Sequence, residues 1–77
     1  MAEINLYAAA KAAAGSANLS IEAADLAALI TKLNSVGELA KLLPTCSYLI
    51  NGIAPAGQNQ ALEKSDVVDV LPQFAGG

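Results

Sequence analysis

The chain has no histidine, no tryptophan and no arginine, and it holds one cysteine, Cys46, and three aromatic residues, Tyr7, Tyr48 and Phe74, in 77 residues. Without histidine the commonest general base and metal ligand is missing, so a Ser-His triad is excluded and a zinc site is disfavoured. A single cysteine excludes an internal disulfide framework, and no Walker-type glycine-rich loop is present to cradle a nucleotide. Four lysines stand against seven acidic residues, a net charge of −3 spread along the chain. Phosphate backbones require clustered Lys and Arg, so nucleic-acid binding is disfavoured. No stretch approaches the ~20 continuous apolar residues of a membrane span, and no basic segment precedes an apolar run at the N-terminus. The expected setting is cytoplasmic, with no membrane partner. At this length one domain is expected, with little room for an enclosed substrate pocket.

What the chain does have is aliphatic periodicity. From Ala2 to Ala8, Ile4, Leu6 and Ala8 alternate with Glu3, Asn5 and Tyr7, the period-two pattern of a half-buried strand, with Tyr7 on the outer face. Ala8 to Ala14 is an Ala-rich run closed by Gly15, which fits a two-turn helix that needs the sheet for stability. Ala17 to Glu22 alternates again, with Leu19 and Ile21 on one side, as a second strand returning beside the first. Asp25 is a good N-cap for a main helix from Leu26 to about Asn34, because Leu26, Leu29, Ile30 and Leu33 recur at helical spacing. Ser35-Val36-Gly37 breaks that helix, and Glu38 to Leu43 is expected as a further short helical piece stopped by Pro44.

Cys46 to Ile50 is expected as a third strand, and Asn51-Gly52 as a hairpin turn into a short strand at Ile53-Ala54 before Pro55. Cys46 has no base or cation beside it in sequence to lower its pKa, which favours a packing role over chemistry. Ala56 to Ser65 is a polar loop in which Leu62 alone looks anchored, and Asp66 to Leu71 is the last strand. The order of strands around one main helix gives an α+β domain, a mixed sheet of about five strands packed on one main helix plus short helices. The domain is expected over residues 1–71, followed by a flexible tail over 72–77, Pro72-Gln73-Phe74-Ala75-Gly76-Gly77.

The stretch from Asp66 to Gly77 resembles the MoaD/ThiS-type ubiquitin-like sulfur carriers, and among them the small subunits of molybdopterin synthases. The shared pattern is an acidic turn, an apolar strand, a Pro-containing segment, a bulky apolar residue, a small residue and a terminal Gly-Gly. Leu6-Tyr7-Ala8 through Gly15, and Cys46 through Gly52, are similar to the family's first strand with short helix and to its strand with Asn-Gly turn. Two positions depart from the pattern. Lys11-Ala12 stands where an Arg-Glu pair is common, which removes a structural salt bridge, and Lys64-Ser65-Asp66 stands where Asp-Gly-Asp is common, which alters a turn.

The resemblance implies the β-grasp, or ubiquitin-like, fold. It also implies a non-catalytic sulfur-carrying subunit: the Gly77 carboxylate is adenylated by an activating enzyme that uses ATP and Mg, becomes a thiocarboxylate, and donates its sulfur to a cyclic pyranopterin monophosphate. That donation takes place in a complex with the large subunit of molybdopterin synthase, a heterotetramer of two small and two large subunits. The residues themselves agree on one point. A free α-carboxylate has a pKa near ~3.3–3.7 and is a poor electrophile when ionised, and no group in this chain can activate it. No cofactor is expected on the chain itself.

Gly76 and Gly77 suit a reacting end that must thread a narrow channel. Ordering the six tail residues costs about 1–2 kcal/mol each, and burying Phe74 returns only about 1.5–3 kcal/mol. A second contact is therefore expected, with Tyr7 and Leu71 on the exposed sheet face joining Pro72, Phe74 and Ala75 as partner-binding residues. Three alternatives share these residues: sulfur delivery to thiamin thiazole or another acceptor, a ubiquitin-like protein modifier, and a plain interaction domain.

Overall fold

The computed structural model describes residues 1–73. The first alternating segment forms β1, Ala2–Leu6, with Ala2, Ile4 and Leu6 buried and Glu3 and Asn5 turned the other way. The strand ends at Leu6 rather than continuing to Ala8, because the chain turns at Tyr7 and Ala8 into α1, Ala8–Ala14. Gly15 closes that helix, donating its N–H to the Lys11 carbonyl at 2.9 Å. The chain returns as β2, Asn18–Ile21, antiparallel to β1, with Leu19 opposite Ile4 and Ile21 opposite Ala2.

Asp25 then caps α2, Leu26–Leu33, its carboxylate accepting the Ala28 N–H at 2.8 Å. A helix start leaves four N–H groups without helical partners. Here the polar loop supplies two of the acceptors: the Gln60 carbonyl takes the Leu26 N–H at 3.0 Å and the Gln58 carbonyl takes that of Ala27 at 2.7 Å. The Ala56–Ser65 loop is thus pinned by its backbone as well as by Leu62, which packs against the core and donates its N–H to the Ala24 carbonyl at 3.0 Å. Replacing Asp25 by alanine removes one of three interlocking acceptors and is expected to cost about 1 kcal/mol. Chemical denaturation of Asp25→Ala beside the parent chain measures it.

Leu26, Leu29 and Leu33 are the buried stripe of α2, and they join Ile4, Leu39, Val68 and Val70 in one cluster of fully buried side chains. Each such burial contributes about 1.5–3 kcal/mol. The helical piece expected over Glu38–Leu43 is instead two 3-10 turns, Leu39–Lys41 and Leu43–Thr45, with Pro44 inside the second. Pro44 is tolerated because the opening of a helical turn needs no N–H from that position. The two turns bury Leu39 and Leu43, which a single straight helix would have placed differently.

β3, Cys46–Ile50, and β4, Val67–Pro72, complete a four-stranded sheet in the order β2-β1-β4-β3. The first and last strands lie side by side at its centre and run parallel, Glu3 beside Val67 and Leu6 beside Val70, and β3 pairs antiparallel with β4. The expectation of about five strands is corrected to four. Asn51 and Gly52 do form the tight turn, with φ of 53° and 80°, but the return is a single bridge between Ile50 and Ile53. Pro55 has no N–H to extend a ladder, and the Asn51 side chain is already engaged with β4, accepting the Val67 N–H at 2.9 Å. Ile53 is left 71% exposed. Among the described residues no helix is long and apolar enough to cross a membrane.

Candidate functional site

Helix α2 and the 3-10 turns bury one face of the sheet, and strand alternation fixes what the other face shows. Val68 and Val70 are fully buried, so Val67, Asp69 and Leu71 of β4 lie on the uncovered side. Register then sets their neighbours. Asn5 stands beside Asp69, Leu49 faces Asp69 from β3, and Ser47 faces Leu71. Tyr7, one residue past the end of β1, is 44% exposed and lies at the same end of the sheet as Leu71.

A line of hydrogen bonds crosses this face. Asn18 donates its side-chain N–H to Asn5 Oδ1 at 2.7 Å, Asn5 donates to Asp69 Oδ1 at 3.1 Å, and the Tyr7 hydroxyl donates to the same Asp69 oxygen at 3.3 Å. Partial desolvation raises the Tyr7 phenol above its ordinary pKa, and the Asp69 charge and hydrogen bond add to the rise. The phenol therefore stays protonated at neutral pH and keeps its donor. A shallow depression opens beside this line, between Tyr7, Lys11 and Asn18. Asn5, Asn18 and Asp69 were not singled out from the sequence. The signal was there in Asp69, a carboxylate punctuating the otherwise apolar run Val67-Val68-Asp69-Val70-Leu71.

The expected partner-binding residues divide. Tyr7 and Leu71 are brought to the same end of the uncovered face, Tyr7 exposed and Leu71 half-buried. Pro72 is the last residue of β4, paired with Cys46, and Gln73 follows it exposed. Phe74, Ala75, Gly76 and Gly77 lie outside the described residues.

Cys46 is half-buried, its Sγ donating to the Leu42 carbonyl at 3.2 Å, and burial pushes the thiol pKa up. A raised thiol is less nucleophilic at neutral pH, in keeping with packing. Its neighbour Tyr48 is pushed up to about 12, first by burial and then by Cys46, and its hydroxyl donates to the Leu43 carbonyl at 3.3 Å. At the opposite end of β4, Asp66 holds the strand's start. It accepts the Glu63 N–H at 2.8 Å and the Asn51 side-chain N–H at 2.9 Å, and these bonds, that of Glu63 first, lower its carboxyl below the usual range.

No protein-family model matches the chain, and no curated protein matches it. Solved structures do. A chain of the complex of subunits 1 and 2 of the molybdopterin-converting factor from Helicobacter pylori is 26% identical and superposes with a TM-score of 0.78, over 99% of this chain and 97% of that one. The chain has the β-grasp fold of the ubiquitin-like sulfur carriers. The small archaeal modifier protein 1 of Methanosarcina acetivorans shares that fold at a TM-score of 0.86 and 21% identity, over 99% of this chain and 95% of that one. So does a chain of the BexX/CysO complex of Amycolatopsis orientalis, at 0.79 and 16%, over the whole of both chains. Two of these three ubiquitin-like neighbours come from structures of complexes with a second protein.

Proposed function

We propose that this chain is a sulfur carrier of molybdenum cofactor biosynthesis. Its Gly77 carboxylate is adenylated by a partner enzyme that uses ATP and Mg, then converted to a thiocarboxylate whose sulfur goes to a cyclic pyranopterin monophosphate in a complex with a large synthase subunit, two copies of each. The observation that carries the reading is the position of β4. It lies in the middle of the sheet, held by β1 on one side and β3 on the other, and only Gln73, Phe74 and Ala75 separate its last residue, Pro72, from Gly76-Gly77. A strand so held gives the following residues a fixed starting point, which a reacting end delivered into another protein needs. Likeness over nearly the whole length to a chain of the molybdopterin-converting factor supports the same reading.

The supporting chemistry is the division of labour. The uncovered face offers a docking surface, with Tyr7 and Leu71 at the end where the chain leaves β4, and the activation comes from elsewhere. Intact mass spectrometry after incubation with an activating enzyme, ATP and a sulfur donor should show a gain of about 16 Da, one oxygen replaced by sulfur at the terminus. An unchanged mass overturns the proposal. Transfer to the pyranopterin precursor in the presence of a large subunit then separates this acceptor from thiamin thiazole or another.

A second reading, a ubiquitin-like modifier, is favoured by the TM-score of 0.86 with the small archaeal modifier protein 1. It uses the same activated Gly77 but ends in isopeptide bonds to lysines. Adducts of this chain on other proteins, resistant to thiol reagents, would support it over sulfur transfer.

A further inference from the structure

Asp69 stands at the centre of the uncovered sheet face, where Glu3 of β1 also lies, and among the described residues no ion pair reaches it. Asp69 is half-buried there, with Val67 and Leu71 before and after it on the same side of β4 and Leu49 opposite it on β3. Both of its hydrogen bonds, from Asn5 and from Tyr7, end on Oδ1. Among the described residues no hydrogen bond reaches Oδ2, and the one ion pair is Lys41 with Glu38 at 3.3 Å, which does not involve Asp69. The line from Asn18 through Asn5 holds the carboxylate in place, with polar Asn5 on its β1 side and apolar Leu49 on its β3 side. With no protein donor on it among the described residues, Oδ2 has only water to satisfy it in the free chain. A purely apolar partner covering this face would remove that water and leave a buried, unpaired charge, which is strongly unfavourable. A partner that brings a positive group to the same spot turns the penalty into a paired contact.

We infer that the protein docking on this face presents one arginine or lysine ringed by apolar side chains, the cation pairing with Asp69 Oδ2 while the ring packs on Tyr7, Leu49 and Leu71. Asp69 is then a specificity-determining residue: it admits surfaces with a cation at that position and rejects those without. This rests on the sulfur-carrier reading, with the activating enzyme as the docked protein.

The test is the sulfur-loading reaction with that enzyme, read as KM for this chain and kcat separately. Asp69→Asn keeps an oxygen for Asn5 and Tyr7 to donate to, so the fold and the Tyr7 position survive while the charge is lost. Its KM is expected to rise about tenfold with kcat unchanged. The salt dependence of KM between about 50 and about 500 mM is expected to flatten in the variant, because the screened charge is gone. Asp69→Glu restores the charge and should recover most of the loss. Equal KM for the parent chain and Asp69→Asn at both salt concentrations overturns the role of Asp69 and leaves the sulfur-carrier reading standing. Failure of the parent chain to gain sulfur at all overturns that reading, and this inference with it.

Discussion

Gly37→Ala is expected to lower stability by about 3 kcal/mol and the melting temperature by more than about 10 °C. Gly37 has φ of +50°, and a Cβ there would overlap the Ala13 carbonyl oxygen. The left-handed backbone alone costs a side-chain-bearing residue about 1–2 kcal/mol. The clash adds to this because its target cannot step aside. The Ala13 carbonyl belongs to the last turn of α1 and accepts the Glu38 N–H at 2.9 Å, so moving it breaks the bond that clamps α1 to the segment after α2. Gly15 is the internal control. It has φ of +79° but nothing within 4 Å of its built Cβ, so Gly15→Ala should lose only the backbone part, about 1–2 kcal/mol. Thermal melts of the two variants side by side decide the matter, and equal losses would show that the contact with Ala13 is not what fixes Gly37. The effect reaches the uncovered face, since α1 begins at the residue after Tyr7.

The contrast between Gly37 and the rest of the chain shows where local pattern carries information and where it stops. Alternation placed Ile4 and Leu6 inward and Tyr7 outward, Asp25 read as a cap is a cap, and the Cys46–Ile50 strand has the expected bounds. These are consequences of period and of short-range hydrogen bonding, and both are written in neighbouring residues. Gly37 could be read as a break in a helix, but its contact with Ala13 depends on how α1 packs, which no local pattern encodes. Ile53 failed as a strand residue for the same reason: Asn51 spends its side chain on Val67 and Asp66, across the sheet.

At the candidate site, Tyr7 and Leu71 were legible as outward-facing apolar residues. Their meeting, and the bond from Asn5 to Asp69, required the parallel register of β1 on β4, a pairing far apart in sequence, while the bond from Asn18 to Asn5 required the register of β2 on β1. Each of those polar residues sits at an outward position and looks on its own like ordinary solvation. Only the register turns four such positions into one connected surface with a charge at its centre.

Adding a single residue after Gly77 is expected to abolish sulfur loading while leaving the fold unchanged. The argument is geometric and chemical together. In the proposed reaction the group adenylated is the terminal carboxylate, and the partner enzyme must hold that carbon against a nucleotide phosphate. One more residue moves the carboxylate by about 3.3–3.6 Å along an extended chain, whereas a misplacement of about 1 Å can already cost a hundredfold in rate. The added residue also puts an amide where the carboxylate was, and an amide does not attack the nucleotide. The core cluster of Ile4, Leu29, Val68 and Val70 takes no part in the change, so the melting curve should match that of the parent chain. Intact mass after incubation with activating enzyme, ATP and sulfur donor should show no gain of about 16 Da for the extended chain beside a full gain for the parent. An extended chain that loads sulfur as the parent does would remove Gly77 as the reacting residue. It would leave β4, Tyr7 and Asp69 as a docking surface in search of another purpose.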